Sequence, residues 1–188
     1  GADAVKFQAF SMDEILALRG TGQAPPPWES MTLPELYAKV ITPRDWFPRL
    51  FDEARSCGLI PFASVFGLES LAMLESLDCL AYKTAAPEAL RYELIQTILD
   101  TGKPVLASWD GCDFASPLAE RPVGNLSWLY CPVGYPVKPS GVRLPDFGDT
   151  FIGLSSHCPD LVIAPIAVAR GAKYLEFHLT LDDGVPTL

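Results

Sequence analysis

Lys173-Tyr-Leu-Glu-Phe-His-Leu-Thr-Leu-Asp182 is the stretch from which the fold can be read. Tyr174, Phe177, Leu179 and Leu181 suit an extended, well-buried run, so the spacing predicts a β-strand over 174–181. Strand side chains alternate between faces, which groups Glu176, His178 and Thr180 on one side and Phe177, Leu179 and Leu181 on the other. A Glu-x-His pair on an apolar strand needs partners, because burying a polar group without a hydrogen bond is unfavourable. His157 lies twenty-one residues upstream, at the end of Phe151-Ile-Gly-Leu-Ser-Ser-His157, so both histidines of the chain stand at or near strand ends. Two readings follow: hydrogen-bonded structural histidines, or a two-histidine metal site with neutral imidazole ligands and Glu176 nearby.

Outward from that strand, the chain alternates extended runs with helical or loop connections seven times. Strands are expected over Ala4–Phe10, Leu59–Phe66, Cys79–Ala85, Pro104–Ser108, Leu126–Cys131, Phe151–Ser155 and Tyr174–Leu181. Helices are expected over 32–40 with Thr32 as N-cap, from Pro43 to Ser56 with Thr42 as N-cap, and over 68–77, 87–100 and 160–170. Trp46, Phe47, Leu50, Phe51 and Ala54 recur at helical spacing, which points to core packing, and Pro165 predicts a kink. The segment from Ser11 to about Ser30 reads as loop. Two connections are short or broken: 109–125 leaves room for one helical turn at most, and the prolines at 136, 139 and 145 exclude a regular helix before Phe151.

This alternation predicts a parallel sheet with right-handed crossovers. Gln8, Ser64, Lys83, Ser108, Ser155 and His178 stand where strands end, and a (β/α)8 TIM barrel gathers such ends on one active-site face. A doubly wound sheet is the rival, but no Gly-x-Gly-x-x-Gly follows any strand.

With 188 residues, 49% of them hydrophobic, the chain has material for one substantial core. A net charge of −9 without a basic run argues against nucleic acid or a membrane surface as partner, while small anions stay possible. The five cysteines, Cys57, Cys79, Cys112, Cys131 and Cys158, are odd in number and form no Cys-x-x-Cys, which points to a reducing cytoplasm. Cys131 and Cys158 read as small buried hydrophobes.

Seven motifs in order carry a resemblance: Gly1-Ala-Asp-Ala-Val-Lys-Phe-Gln8, Phe62-Ala-Ser-Val-Phe-Gly-Leu-Glu-Ser70, Ala81-Tyr-Lys83, Thr101-Gly-Lys-Pro-Val105, Gly153-Leu-Ser-Ser-His157, Ala169-Arg-Gly-Ala172 and Leu175-Glu-Phe-His-Leu-Thr-Leu-Asp182. Together they resemble the sialic acid synthases, and Leu33-Pro-Glu-Leu-Tyr37 with Thr42-Pro-Arg-Asp-Trp46 is most similar to the pseudaminic acid synthase branch. The resemblance implies an enzyme that condenses phosphoenolpyruvate with a six-carbon N-acetylated amino sugar, giving a nine-carbon 2-keto acid and phosphate. It implies an incomplete barrel here, with the first strand and helix upstream of Gly1 and a small antifreeze-like domain beyond Leu188. It also implies a homodimer in the full-length protein.

Carried over by position, His157 and His178 match the ligands of a divalent metal, Mn2+ or Mg2+. Lys6, Ser64, Lys83, Ser108 and Ser155 match positions around phosphoenolpyruvate, and Tyr135 and Glu176 positions at the sugar. Glu176, Lys83, Gln8 and Glu88 match catalytic positions. Several residues depart from the family pattern: Ser156 stands for an Asp, Phe177 for a Lys, Ala86 for a phosphate-binding Ser, Trp109 for a Thr and Val133 for an Asn. These departures leave an alternative function: a degenerate, non-catalytic member or an inactive fragment that binds only a sugar phosphate or a partner subunit.

Overall fold

The computed structural model describes residues 1–188 apart from 27, 87–90, 112–123, 133, 135 and 180–188. The chain forms two compact units, Gly1–Lys83 with Gln96–Lys103, and Thr84–Ile95 with Pro104–Thr187.

In the first unit β1 (Ala4–Ala9) and β2 (Ile60–Val65) pair in parallel over six positions, from Ala4↔Ile60 to Ala9↔Val65. β3 (Tyr82–Thr84) joins β2 in parallel, with Ser64 opposite Lys83. Around them lie α1 (Met12–Arg19), α2 (Leu33–Val40), α3 (Phe47–Ser56) and α4 (Leu68–Glu75). Of α5 (Tyr92–Leu99) the part from Gln96 belongs to this unit, and Gly102 after it takes φ +75, the left-handed turn that ends the helix at little steric cost. Phe7 stacks on Phe51 of α3 at 5.8 Å and meets Phe47 edge-on at 6.4 Å. The Phe7 face of β1 is therefore the helix-covered face, and alternation turns Lys6 and Gln8 the other way.

In the second unit β4 (Val105–Trp109), β5 (Leu126–Tyr130), β6 (Phe151–Ser156) and β7 (Tyr174–Phe177) pair in parallel in chain order. A bulge between Trp128 and Leu129 shifts the β5–β6 register. α6 (Ile163–Ala169) packs Ile163 and Ala167 with Leu154, Val137, Cys158 and Ala172, while Phe177 and Tyr130 lie against the same cluster. The α6 side of β6–β7 thus carries Leu154 and Phe177, and Gly153, Ser155, Tyr174 and Glu176 belong to the other side.

The elements differ from the sequence reading in several places. β7 stops at Phe177, two residues short of the last described residue of the run expected over 174–181. Tyr174, Leu175 and Leu179 are exposed where a well-buried run is expected, Leu179 at 85%. β3 holds only Tyr82–Thr84 of the strand expected over Cys79–Ala85. Residues 12–19 are helical where a loop is expected, because Ser11 and Glu14 close a capping box that satisfies two of the orphan N–H groups. Thr42 makes no cap: a 3₁₀ turn over Arg44–Trp46 intervenes, and α3 begins at Phe47 with Pro48 in its first turn. That turn leaves Trp46 57% exposed, while Phe47, Phe51 and Ala54 are buried as expected and Leu50 is only half-buried. α6 starts at Ile163, so Pro165 falls in the first turn, where its missing N–H has no partner to lose, and it gives no kink. Between β5 and β6 the described residues hold only a 3₁₀ turn, Pro139–Gly141, consistent with the prolines there. Cys131 and Cys158 are buried, at 5% exposure each.

Candidate active site

Six of the sequence-selected residues, Gln8, Ser64, Lys83, Ser108, Ser155 and Glu176, each stand second from the end of their strand. In the first unit three of them form one row. Gln8 is the register partner of Ser64, and Ser64 of Lys83. Neighbours in a parallel pair point the same way, so all three side chains leave the sheet on the face turned from Phe7 and α3. Lys6 lies one pleat earlier on that face, opposite Phe62. Ser64 and Lys83 are each 2% exposed, and a buried ammonium beside a hydroxyl and a carboxamide is a place for an anion.

The second unit holds a second row. Ser155 pairs with Glu176 and Ser156 with Phe177, and His157 and His178 are the first residues beyond the two strands. Their ring centroids lie 5.1 Å apart with the planes at 63°. The rings are neighbours just past the strand ends, two residues beyond Ser155 and Glu176 in each chain segment. Ser108 is buried at 1% exposure near the end of β4. Among the described residues no group of three or more His, Cys, Asp and Glu is arranged to hold a metal; the two histidines of the chain are this pair. Glu88 and Tyr135 lie outside the described residues.

The departures from the family pattern fall mostly on the other face. Ser156 is 3% exposed and its Oγ accepts the Cys158 N–H at 3.1 Å, a short turn that closes β6. Phe177 packs in the α6 cluster. Trp109 alternates with Ser108 and meets Trp128 and Phe151 at 5.8 and 5.4 Å. Only Ala86, among the described departures, removes a hydroxyl from the set the resemblance assigns to phosphate.

Two groups escaped sequence reading. Behind Lys83, Tyr82 points to the helix side, where its hydroxyl donates to Glu75 of α4 and Lys103 reaches Glu75 at 2.7 Å. Burial pushes the Glu75 carboxyl up, but hydrogen bonds from Lys103 and Tyr82 outweigh it and hold it below the ordinary value. Burial, then the Glu75 carboxylate, drives the Tyr82 phenol far above its ordinary range, so it stays a neutral donor. This network anchors the short strand that carries Lys83. The other group is Glu14 with Ser70, treated below; its signal was the Ser11-x-x-Glu14 spacing of a capping box.

The NeuB family profile matches residues 1–187. The chain belongs to the NeuB family. It is 32% identical over 208 residues to a pseudaminic acid synthase of Helicobacter pylori, covering 100% of this chain and 59% of that protein. It is 28% identical to a pseudaminic acid synthase of Campylobacter jejuni, covering 98% of this chain and 58% of the relative. The crystal structure of an N-acetylneuraminic acid synthetase from Leptospira borgpetersenii, in complex with citrate, superposes with a TM-score of 0.72 at 21% identity, over 96% of this chain and 64% of that one. That likeness concerns the fold: an incomplete (β/α)8 barrel, with seven strands among the described residues. The chain spans about three fifths of the length of the two synthases it resembles. Among the described residues no helix is long and apolar enough to cross a membrane.

Proposed function

We propose that the protein to which this chain belongs is a cytoplasmic nonulosonic acid synthase, joining phosphoenolpyruvate to an N-acetylated six-carbon amino sugar and releasing phosphate. One observation carries the reading. Ser64, Lys83, Ser108 and Ser155 are four of the seven buried polar or charged residues described, each one place before a strand end. Buried polar groups are kept at a cost in stability, and four at equivalent places speak for a ligand and against chance.

In this reading Lys6 and Lys83 neutralise the phosphate and carboxylate of phosphoenolpyruvate, and Ser64, Ser108 and Ser155 donate hydrogen bonds to their oxygens. Gln8 orients the enol carbon beside that anion, and Glu176 and Tyr135 hold the sugar. Glu176 and Glu88 exchange protons with the reacting hydroxyls. His157 and His178 would hold a divalent cation, Mn2+ or Mg2+. Two nitrogen donors fit Mn2+ better than the strictly oxygen-loving Mg2+, and centroids 5.1 Å apart suit rings that share one ion with bonds of about 2.1 Å. When bound, such an ion polarises the sugar carbonyl as a Lewis acid. The departures favour this reading over a degenerate binding protein, since Ser156, Phe177 and Trp109 lie on the face away from these residues. As a synthase it acts as a homodimer.

The test is release of inorganic phosphate from phosphoenolpyruvate by the full-length protein, with Mn2+ or Mg2+ and a panel of N-acetylated amino sugars. Sugar-dependent release that stops on chelation is the expected result. Phosphoenolpyruvate binding without turnover on any sugar would support the non-catalytic alternative instead.

A further inference from the structure

We infer that Glu14 is a positioning residue: one carboxylate caps two helices, locks the connection after β1 onto the start of α4, and so fixes the strand ends that carry Gln8 and Ser64. The consequence for ligand binding rests on the function proposed above; the lock itself does not.

The geometry begins as an ordinary capping box. The Glu14 N–H donates to Ser11 Oγ at 3.2 Å, and the Ser11 N–H donates back to Glu14 Oε2 at 2.9 Å. In an isolated helix the second carboxylate oxygen would face water. Here Oε1 accepts the Ser70 N–H at 2.9 Å and lies 3.3 Å from Ser70 Oγ, whose single proton is shared with the Gly67 carbonyl at 3.0 Å. Ser70 is the third residue of α4, and the N-cap of that helix is Gly67, which has no side chain to accept an orphan N–H. Glu14 does that work from a point 56 residues away, and its charge sits favourably at the helix N-terminus.

A second observation is steric. A Cβ at position 67 would lie 2.3 Å from Glu14 Oε1 and 2.6 Å from its Cδ and Cγ. Any side chain there would expel the carboxylate from its donors, so Gly67 and Glu14 are a matched pair. The lock also has a dry backing. Phe10, next to Ser11, meets Phe66, next to Gly67, at 5.4 Å and Tyr37 of α2 at 5.9 Å, with Ile15 buried beside them. Gln8 precedes Ser11 by three residues, Ser64 precedes Gly67 by three, and the two are register partners. A shift at the carboxylate therefore reaches both through equally short segments.

The experiment uses the full-length protein, amide exchange at Ser11 and Ser70, and calorimetry with phosphoenolpyruvate. Glu14→Ala should expose both amides and weaken phosphoenolpyruvate about 10-fold, the scale of a sub-ångström misplacement. Gly67→Ala with Glu14 intact should do the same. The double variant Glu14→Ala with Gly67→Asp separates the roles. Its introduced carboxylate sits at the N-cap and accepts the Ser70 N–H, which replaces the cap of α4 but not the tie to Ser11. Ser70 protection and the thermal midpoint should return, while Ser11 exchange and the phosphoenolpyruvate affinity stay impaired. Affinity recovering together with the midpoint would reduce Glu14 to a helix cap and overturn the proposal, as would unchanged Ser11 and Ser70 exchange in Glu14→Ala. If the unaltered protein binds no phosphoenolpyruvate, the functional reading falls, and the exchange pattern of the two serines still decides the lock.

Discussion

The two units dry the outer faces of their strands by different means. In the first, β1 and β2 are each followed by helices, and Phe7 finds Phe47 and Phe51 of α3 to pack on. In the second, β5 leads to β6 through a segment whose described residues make only a 3₁₀ turn, and aromatic rings fill the face instead. Trp109, Trp128, Tyr130 and Phe151 form a chain of contacts at 5.4–5.8 Å, with Trp128 and Phe151 each 7% exposed. A sheet face needs apolar area and close packing, and large rings can supply both where prolines forbid a helix. This accounts for a tryptophan after Ser108, where the family pattern has a threonine: the exchange serves packing and leaves the site face alone.

That comparison can be broken most directly by truncating a ring in each unit. Phe51→Ala and Trp128→Ala should each destabilise by about 3–5 kcal/mol in urea unfolding, the usual range for a buried aromatic residue. A loss below about 1 kcal/mol for Trp128→Ala would mean that the rings contribute little and something else covers β5. On the site faces, Lys83→Ala should weaken phosphoenolpyruvate by about 2–5 kcal/mol in calorimetry, as expected for a buried charge-paired contact. His178→Ala should instead reduce Mn2+ affinity by at least about 10-fold, measured with the metal alone. Unchanged phosphoenolpyruvate affinity in Lys83→Ala would favour the non-catalytic reading.

A smaller effect sharpens the assignment of faces. Phe177→Lys restores the family residue on the α6 side, so it should lower stability by about 1–2 kcal/mol without changing Mn2+ affinity. A changed metal affinity would place residue 177 on the wrong face here. The smallest effect is the pH dependence of the Tyr82–Glu75–Lys103 anchor. Glu75 is depressed in the folded state, so the unfolded chain binds its proton first, and the contribution present above about pH 4.5 is lost as pH falls through the folded value. Tyr82 is raised, so its contribution is present below the ordinary phenol value near 10 and declines as pH climbs beyond it. Thermal midpoints of Glu75→Gln should lack the acid limb; retention of that limb would assign it to other carboxylates.

Much of this was legible from short-range patterns. Alternation placed Glu176 and Phe177 on opposite faces, and the capping residue Thr32 and the order of strands and helices followed from local preference. The motif order led to the family, which the match over residues 1–187 bears out. α1 was hidden, because its eight residues show no clean apolar stripe and its start is marked only by the Ser11–Glu14 spacing. The 3₁₀ turn that displaces Trp46 was hidden too, since the helical period cannot register one tighter turn before it.

By itself the sequence determined which residues alternate, that Thr32 caps α2, and that Lys83 and Ser64 stand near the ends of their strands with the two histidines just past the ends of theirs. Those are consequences of side-chain period and backbone chemistry within a few residues. Only the tertiary structure decided that Gln8, Ser64 and Lys83 stand in one row, because parallel register depends on pairing between segments far apart in the chain. It alone set the histidine rings 5.1 Å apart, and it alone handed the cap of α4 to Glu14. Both outcomes depend on how segments distant in sequence pack, and nothing in the local run of residues encodes that distance.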